Sequence, residues 1–384
     1  MSRRVFILGS TGSIGKSSVE VLHHLRSRDG VGSWPVVGLA AKTDYKLLKE
    51  QAVRLQVESV SVEVSQRIGV TNQYNSAVEL IQNQAKKGDI VIAAIVGFAG
   101  IAPVLAAIER GCDIALANKE SLVAGGKIVM EAVAAMGVTL LPVDSEHSAI
   151  HQALQNSSDK EIKKIILTAS GGSLRGLSPD KIHTASVSDV LQHPTWNMGK
   201  KVTVDSASLM NKALELIEAH WLFGVGAQRL EAIIHPQSIV HGMVEWIDGS
   251  VIAQLSPPDM RLPIQYALTW PSRVAGCGNN MEWNALTSLE FEAIDVEQFP
   301  AIPLAYRVIE MGGTSGAILN AANEVVVDAF LQEMLPFGAM VAIVREVLES
   351  IPSTVIHDME DLIQADEEAR AMTKQIVSSY KVNT

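Results

Sequence analysis

Two carboxylates stand either side of a serine in PVDSEHSAI, residues 142 to 150: Asp144, Ser145 and Glu146 follow closely on the apolar run VTLL. Read as loop charges they are solvated, and Ser145 caps the helix that follows. Read as a pair at the carboxyl end of a buried strand they repel each other, and a divalent cation best reconciles them. A second polar set lies in DSASLMNKALELIEA, residues 205 to 219. The spacing predicts a helix that starts near Ser206, capped by Asp205 or Ser206. Its apolar face is Leu209, Met210, Ala213, Leu214 and Ile217, while Ser208, Asn211, Lys212 and Glu215 share one stripe on the other side. As a solvated pair, Lys212 and Glu215 are worth roughly 0.2–0.5 kcal/mol. Short polar residues are poor choices for an exposed helix, but good ones where a ligand needs neutral donors beside an ammonium. Ser206, Asn211 and Lys212 then suit a phosphate, with Glu215 one turn on and available to a metal.

Further chemistry sits in loops. Gly9-Ser10-Thr11-Gly12-Ser13-Ile14-Gly15 separates an apolar run from a helical pattern, a GxxGxxG variant of the dinucleotide fingerprint in its strand-to-helix context. Its glycines let the backbone approach a pyrophosphate, and the helix start offers N–H groups; the plain alternative is a tight turn. The next strand ends in GLAAKTD, with no acid placed for ribose hydroxyls. Asp44 comes late and reads as the cap of a helix beginning at Tyr45, whereas Lys42 and Thr43 can hold a 2'-phosphate, which favours NADPH over NADH. HPTWNMG, residues 193 to 199, has neither strand nor helix period; its Trp196 and Met198 either tuck into the core or form a lid hinged at Gly199. In TASGGS, residues 168 to 173, another strand ends among small residues, a second candidate anion nest. Together these point to a phosphorylated small-molecule substrate.

Hydrophobic periods define the elements that must position these groups. The runs VFILG, WPVVGLA, ESVSV, DIVIAAI, DIALA and VTLLPV alternate with helical patterns, which predicts a Rossmann-like, doubly wound parallel sheet over residues 1–143. Residues 144–271 mix strands with helices, include a hairpin turning at Asp248 and Gly249, and read as an α+β domain. A Gly-, Asn- and Pro-rich stretch at 272–303 is the expected linker, and 304–384 the expected helical bundle. IVIAAIVGFAGIAPVLAAI, residues 90 to 108, is uncharged, yet Gly97, Gly100 and Pro103 break it into strand, turn and helix instead of a membrane span. A net charge of -11 over 384 residues disfavours nucleic acid and anionic membranes as partners. Cys112 and Cys277 make no disulfide framework; with a strand beginning almost at Met1, the chain reads as cytoplasmic, and Cys112 as a small core residue.

GSTGSIG, NKES at 118–121, VDSEHSA at 143–149, TASGG at 168–172, HPTWNMGKK, DSASLMNKALELIEA, HPQS at 235–238 and PPDMR at 257–261 occur in one co-linear order. That order resembles the 1-deoxy-D-xylulose 5-phosphate reductoisomerases, NADPH-dependent enzymes that form 2-C-methyl-D-erythritol 4-phosphate in non-mevalonate isoprenoid synthesis. The resemblance spans nearly the whole chain and implies a homodimer whose subunits have nucleotide, catalytic and C-terminal helical domains. It implies that Asp144, Glu146 and Glu215 hold one Mg2+ or Mn2+, with Lys119 and Ser145 on the substrate beside it. Ser170, His193, Ser206, Asn211 and Lys212 match substrate and phosphate positions, and Lys119, Glu146 and His193 are the implied catalytic groups. Thr11, Gly12, Ser13, Ile14, Asn118, Glu120 and Gly199 match NADPH positions. Ala41 and Thr43, which flank Lys42, depart from the glycine and asparagine usual near the ribose phosphate. Two rival readings remain. A zinc hydrolase built on Glu146, His147 and His151 finds no third ligand or hydrolytic base at useful spacing, and a non-enzymatic NADPH sensor needs neither carboxylate trio nor phosphate stripe.

Overall fold

The structure is a computed structural model that describes residues 3–63, 69–155, 159–196 and 198–380; Asn197 of the expected lid lies outside the described residues. The chain forms two compact units, the first of Met1–Ser121, Val129–Ser148 and Asp259–Asn280, the second of Leu122–Ile128, Ala149–Pro258 and Met281–Thr384.

In the first unit the six expected runs become β1 (Val5–Leu8), β2 (Val36–Ala41), β3 (Ser59–Val62), β5 (Ile90–Ala93), β6 (Asp113–Leu116) and β7 (Leu140–Pro142). A seventh strand, β4 (Asn72–Tyr74), is polar and had no hydrophobic period to show it. All pair in parallel, in the order β4-β3-β2-β1-β5-β6-β7, which winds outward in both directions from β1 as a Rossmann-like sheet does. Helices α1 (Ser13–Asp29), α2 (Tyr45–Leu55), α3 (Ala77–Gln84), α4 (Ile101–Glu109) and α5 (Glu120–Met136) make the crossovers. Ile7, Leu39, Ile90 and Ile92 are fully buried. Burial on both faces is why these strands read as continuous apolar runs instead of alternating ones, and each such side chain contributes about 1.5–3 kcal/mol. Gly9, Lys42, Asn118 and Asp144 all follow closely on the carboxyl ends of β1, β2, β6 and β7, the edge of such a sheet where ligands bind.

The second unit holds a four-stranded mixed sheet in the order β11-β10-β8-β9, from β8 (Ile162–Ala169), β9 (Leu230–Ile234), β10 (Val240–Trp246) and β11 (Val251–Leu255). β8 and β9 are parallel, and β10 runs antiparallel to β8 and to β11. The β10–β11 hairpin closes where expected, Gly249 N–H donating to Trp246 O at 2.9 Å. After α6 (Ser145–Ala153), α7 (Pro179–His183) and α8 (Val187–Val190) come α9 (Lys200–Ala207) and α10 (Met210–Phe223), which pack on each other. α11 (Arg261–Thr269) returns to the first unit and lies on α1. Residues 272 to 300 contain no helix and only an isolated bridge of Glu292 to Ile234, before α12 (Ala301–Met311), α13 (Ser315–Leu331), α14 (Met340–Ser350) and α15 (Met359–Tyr380). The uncharged stretch at 90 to 108 divides into β5, a short turn and α4, and no described helix is long and apolar enough to cross a membrane.

Candidate active site

The acidic corner forms where β7 ends and α6 begins. Asp144 is half-buried; its Oδ1 accepts the Ser145 N–H at 3.0 Å and its Oδ2 stands 2.6 Å from Lys119 Nζ. Lys119 is brought there by the end of β6 and is buried. Ser145 is the first residue of α6 and not its cap, because the first helical bond, from Ser148 N–H to Asp144 O at 2.8 Å, starts one residue earlier. Its hydroxyl instead donates to Glu146 Oε2 at 2.5 Å. Next to Lys119, Asn118 is buried and donates from Nδ2 to Gly97 O at 3.1 Å and to Glu120 Oε2 at 2.9 Å, and it accepts the Ser121 N–H. This one amide joins the loops that follow β5 and β6.

The glycine loop fits a dinucleotide phosphate. A Cβ on Gly15 would lie 2.4 Å from Gly9 O, so any side chain there lifts α1 off its own loop. Gly12 precedes α1 with no side-chain capping bond, and Gly12 and Ser13 are exposed between half-buried Thr11 and Ile14. An uncapped helix start with an exposed glycine before it is an anion cradle. At the end of β2, Ala41 is half-buried and Lys42 and Thr43 are exposed, while Asp44 accepts the Leu47 N–H at 3.1 Å as the expected cap of α2.

The second unit holds most of the residues that the sequence assigns to the substrate. His193 Nδ1 accepts the backbone N–H of Thr195 at 3.2 Å and of Trp196 at 2.9 Å. The imidazole proton is thereby left to Nε2, which donates to Ser170 Oγ at 2.9 Å. Burial holds the His193 pKa below its ordinary value, which keeps this neutral tautomer at pH 7. Residues 193 to 196 thus fold around their own imidazole, and half-buried Trp196 sets its ring edge against His241 at 6.1 Å. His241 is a contact the sequence reading did not single out, although its buried place in β10 is a mark of it. Gly172, at φ +71°, donates its N–H to Ser170 Oγ and sits so close to α9 that a Cβ would lie 2.5 Å from Ser206 O. Gly199 is exposed immediately before α9.

The polar helix differs from its expected form at its start, and its burial decides between the two readings left open for its stripe. Ser206 does not start it: Ser206 lies in the last turn of α9, and α10 begins only at Met210, after Leu209 turns the chain at φ +56°. Leucine rarely adopts that conformation, so residue type gave no sign of the break. Ser208, placed on the stripe by the continuous-helix reading, is accordingly the last-turn boundary of α9. Nor is the stripe solvated, since Lys212 and Glu215 are both buried. Lys212 Nζ pairs with Glu215 Oε2, and Asn211 Nδ2 donates to Glu215 Oε1. All ligand atoms offered by Asp144, Glu146 and Glu215 are carboxylate oxygens, hard donors that suit Mg2+ or Mn2+ and not zinc. His147 and His151 of the zinc reading lie in α6, one buried and the other half-buried, and burial lowers the His151 pKa.

Three family descriptions match the chain: 1-deoxy-D-xylulose 5-phosphate reductoisomerase over residues 5–126, its C-terminal domain over residues 140–223, and DXP reductoisomerase C-terminal domain over residues 255–372. The 1-deoxy-D-xylulose 5-phosphate reductoisomerase of Pelotomaculum thermopropionicum is 43% identical over 387 residues, covering 98% of each chain. That of Gloeobacter violaceus is 44% identical, covering 98% of this chain and 97% of its own. Among solved structures, the Zymomonas mobilis enzyme in complex with NADPH superposes with a TM-score of 0.90 at 37% identity, over 99% of this chain and 100% of that one. A reductoisomerase in complex with NADPH, fosmidomycin and magnesium gives a TM-score of 0.91 at 34% identity, over 98% of both chains. The protein belongs to the 1-deoxy-D-xylulose 5-phosphate reductoisomerase family.

Proposed function

We propose that this protein converts 1-deoxy-D-xylulose 5-phosphate to 2-C-methyl-D-erythritol 4-phosphate, an NADPH-dependent, divalent-metal-dependent rearrangement and reduction. The observation that carries the reading is the end-to-end match at 43% identity over 98% of each chain. Solved relatives contain NADPH, fosmidomycin and magnesium, consistent with a nucleotide, an anionic substrate and one hard cation.

Asp144, Glu146 and Glu215 are the proposed metal ligands. When bound, Mg2+ or Mn2+ acts as a Lewis acid toward the ketone and hydroxyl oxygens of the substrate. NADPH, held on the Thr11–Ile14 loop and by Asn118, Glu120 and Gly199, with Ala41, Lys42 and Thr43 near its ribose phosphate, supplies the hydride. The protein's own groups do the rest. Ser170, Ser206, Asn211 and Lys212 bind the phosphate end through neutral donors and one ammonium, which spends remote binding energy on orientation. His193, neutral at pH 7, donates from Nε2 and orders residues 193 to 196. Lys119 puts an ammonium beside Asp144, where negative charge on the substrate develops, and Ser145 and Glu146 can hold or relay a proton there. Trp196 excludes water over the reacting carbon.

The same reading extends to a homodimer. Supporting it, β11 is an edge strand, and Ile247, Val251 and Ile252 on this hairpin are exposed, an apolar edge of the kind that proteins cover. Both cysteines are unlinked, in keeping with a reducing cytoplasm. The test is NADPH absorbance after addition of the ketose phosphate, with and without chelator. Oxidation that needs both substrate and divalent metal is expected; oxidation indifferent to the chelator, or none, removes the reading.

A further inference from the structure

The middle of α13 is apolar except for Asn320, Asn323 and Glu324. Burying such groups is costly unless each is bonded, so their partners say why they are there. Asn320 Nδ2 donates to Glu324 Oε1 at 3.0 Å, and Glu324 Oε2 lies 2.6 Å from Arg370 of α15, which also holds Asp366. Those two residues fasten α13 to α15. Asn323 points elsewhere: its Nδ2 donates to Asp205 Oδ1 of α9 at 2.9 Å, and both residues are 1% exposed. The other oxygen of Asp205 stands 3.0 Å from Lys201 Nζ, one turn earlier in α9. One oxygen of this carboxylate is therefore ion-paired within its own helix, and the other accepts a hydrogen bond from α13.

A fork of this kind fixes how α9 is rotated about its axis. Ser206 is the next residue, about 100° further round the helix, with its carbonyl packed against Gly172. A rotation of only ~20° would move a hydroxyl ~4–5 Å from the axis by roughly 1.5 Å, and a misplacement near 1 Å is enough to cost about 100-fold. We propose that Asn323, acting through Asp205, is a positioning residue for Ser206, so that the C-terminal helices set the aim of a phosphate-binding hydroxyl. This rests on the reading of Ser206 as a phosphate ligand.

The test uses the full chain carrying Asn323→Leu, which keeps the size of the side chain and removes the donor, with Ser206→Ala as reference. KM is measured for the ketose phosphate and for NADPH, and kcat/KM for the same ketose without its phosphate. The expected result is a rise of about 10-fold or more in KM for the phosphorylated substrate alone, the other two values staying within about twofold. If Ser206→Ala raises that KM and Asn323→Leu does not, the positioning role falls and the phosphate reading stands. If Ser206→Ala changes nothing, the phosphate reading itself fails. A uniform loss across both ketoses and NADPH marks a general packing role and overturns the inference. Should the leucine variant not fold, the exchange Asp205→Asn with Asn323→Asp keeps one donor facing one acceptor, whereas Asn323→Asp alone sets two carboxylates together. Recovery of the KM by the exchange supports the role, and an exchange no better than the single variant overturns it.

Discussion

The acid at the end of β7 and the acid inside α10 are each matched by a lysine, yet their surroundings are opposite. Asp144 is half-buried, and its lysine reaches it from another strand end. Glu215 is fully buried, and two of its partners, Lys212 and Asn211, come from its own helix. A carboxylate that water still reaches can lose its lysine at modest expense, whereas a buried one cannot, because its charge is then uncompensated. The contrast separates two ways of placing a carboxylate. A strand end offers it at the sheet edge, and a helix stores it in the interior with its neutralising charge one turn away.

Glu215→Gln tests this contrast most severely. It keeps shape and burial, removes the negative charge and turns one of the two accepting oxygens into a donor, so kcat should fall by about 10²–10⁴-fold while the NADPH dissociation constant stays near wild type. Turnover close to normal at saturating Mg2+ would contradict the role given to the buried acid. The next largest difference lies in stability. Lys212→Met takes an ammonium away from a buried carboxylate and should cost about 3–5 kcal/mol in denaturant unfolding, against about 1–2 kcal/mol for Lys119→Met. Equal costs would erase the distinction between the two regions.

Smaller effects sharpen it within the second unit. Trp196→Ala should lower kcat/KM about 10-fold with little change in Tm, since the ring is only half-buried and rests on His241 by its edge; parallel losses of activity and Tm would make it a core residue. For His193, burial favours the neutral ring in the folded chain, below an ordinary value of 6.5. The unfolded chain therefore takes up the proton first as pH falls, and the stability due to this ring is complete above 6.5 and lost below it. Protonation also ends acceptance by Nδ1, so KM for the ketose phosphate should rise about 3–10-fold as the ring titrates, below pH 6.5, and a flat profile from pH 8 to 5 would exclude the loop's dependence on it. Least of all, Lys42→Ala should raise KM for NADPH about 3-fold and leave NADH use unchanged, because an exposed ammonium is screened.

The parallel sheet and the glycine loop were legible because burial on both faces leaves unbroken apolar runs, and because close helix approach at Gly15 admits no side chain. β4 was not, since a three-residue polar edge strand has no period. The boundary between α9 and α10 escaped for another reason: apolar spacing continues through Leu209, and nothing in a leucine announces a left-handed turn. The Lys212–Glu215 pair was visible by spacing, but its depth was not, because depth depends on what other elements place over it. Asn323 was overlooked, although an asparagine in an otherwise apolar helix, where it is a poor helix former, is itself a sign.

Leu209 also sets a limit on how this chain can change in length. Ser206 sits on one rod, and Asn211, Lys212 and Glu215 on the next, with a single reversed residue as their joint. Adding or deleting one amino acid there would change the register of one rod against the other, and within a helix each residue of register is worth about 100°.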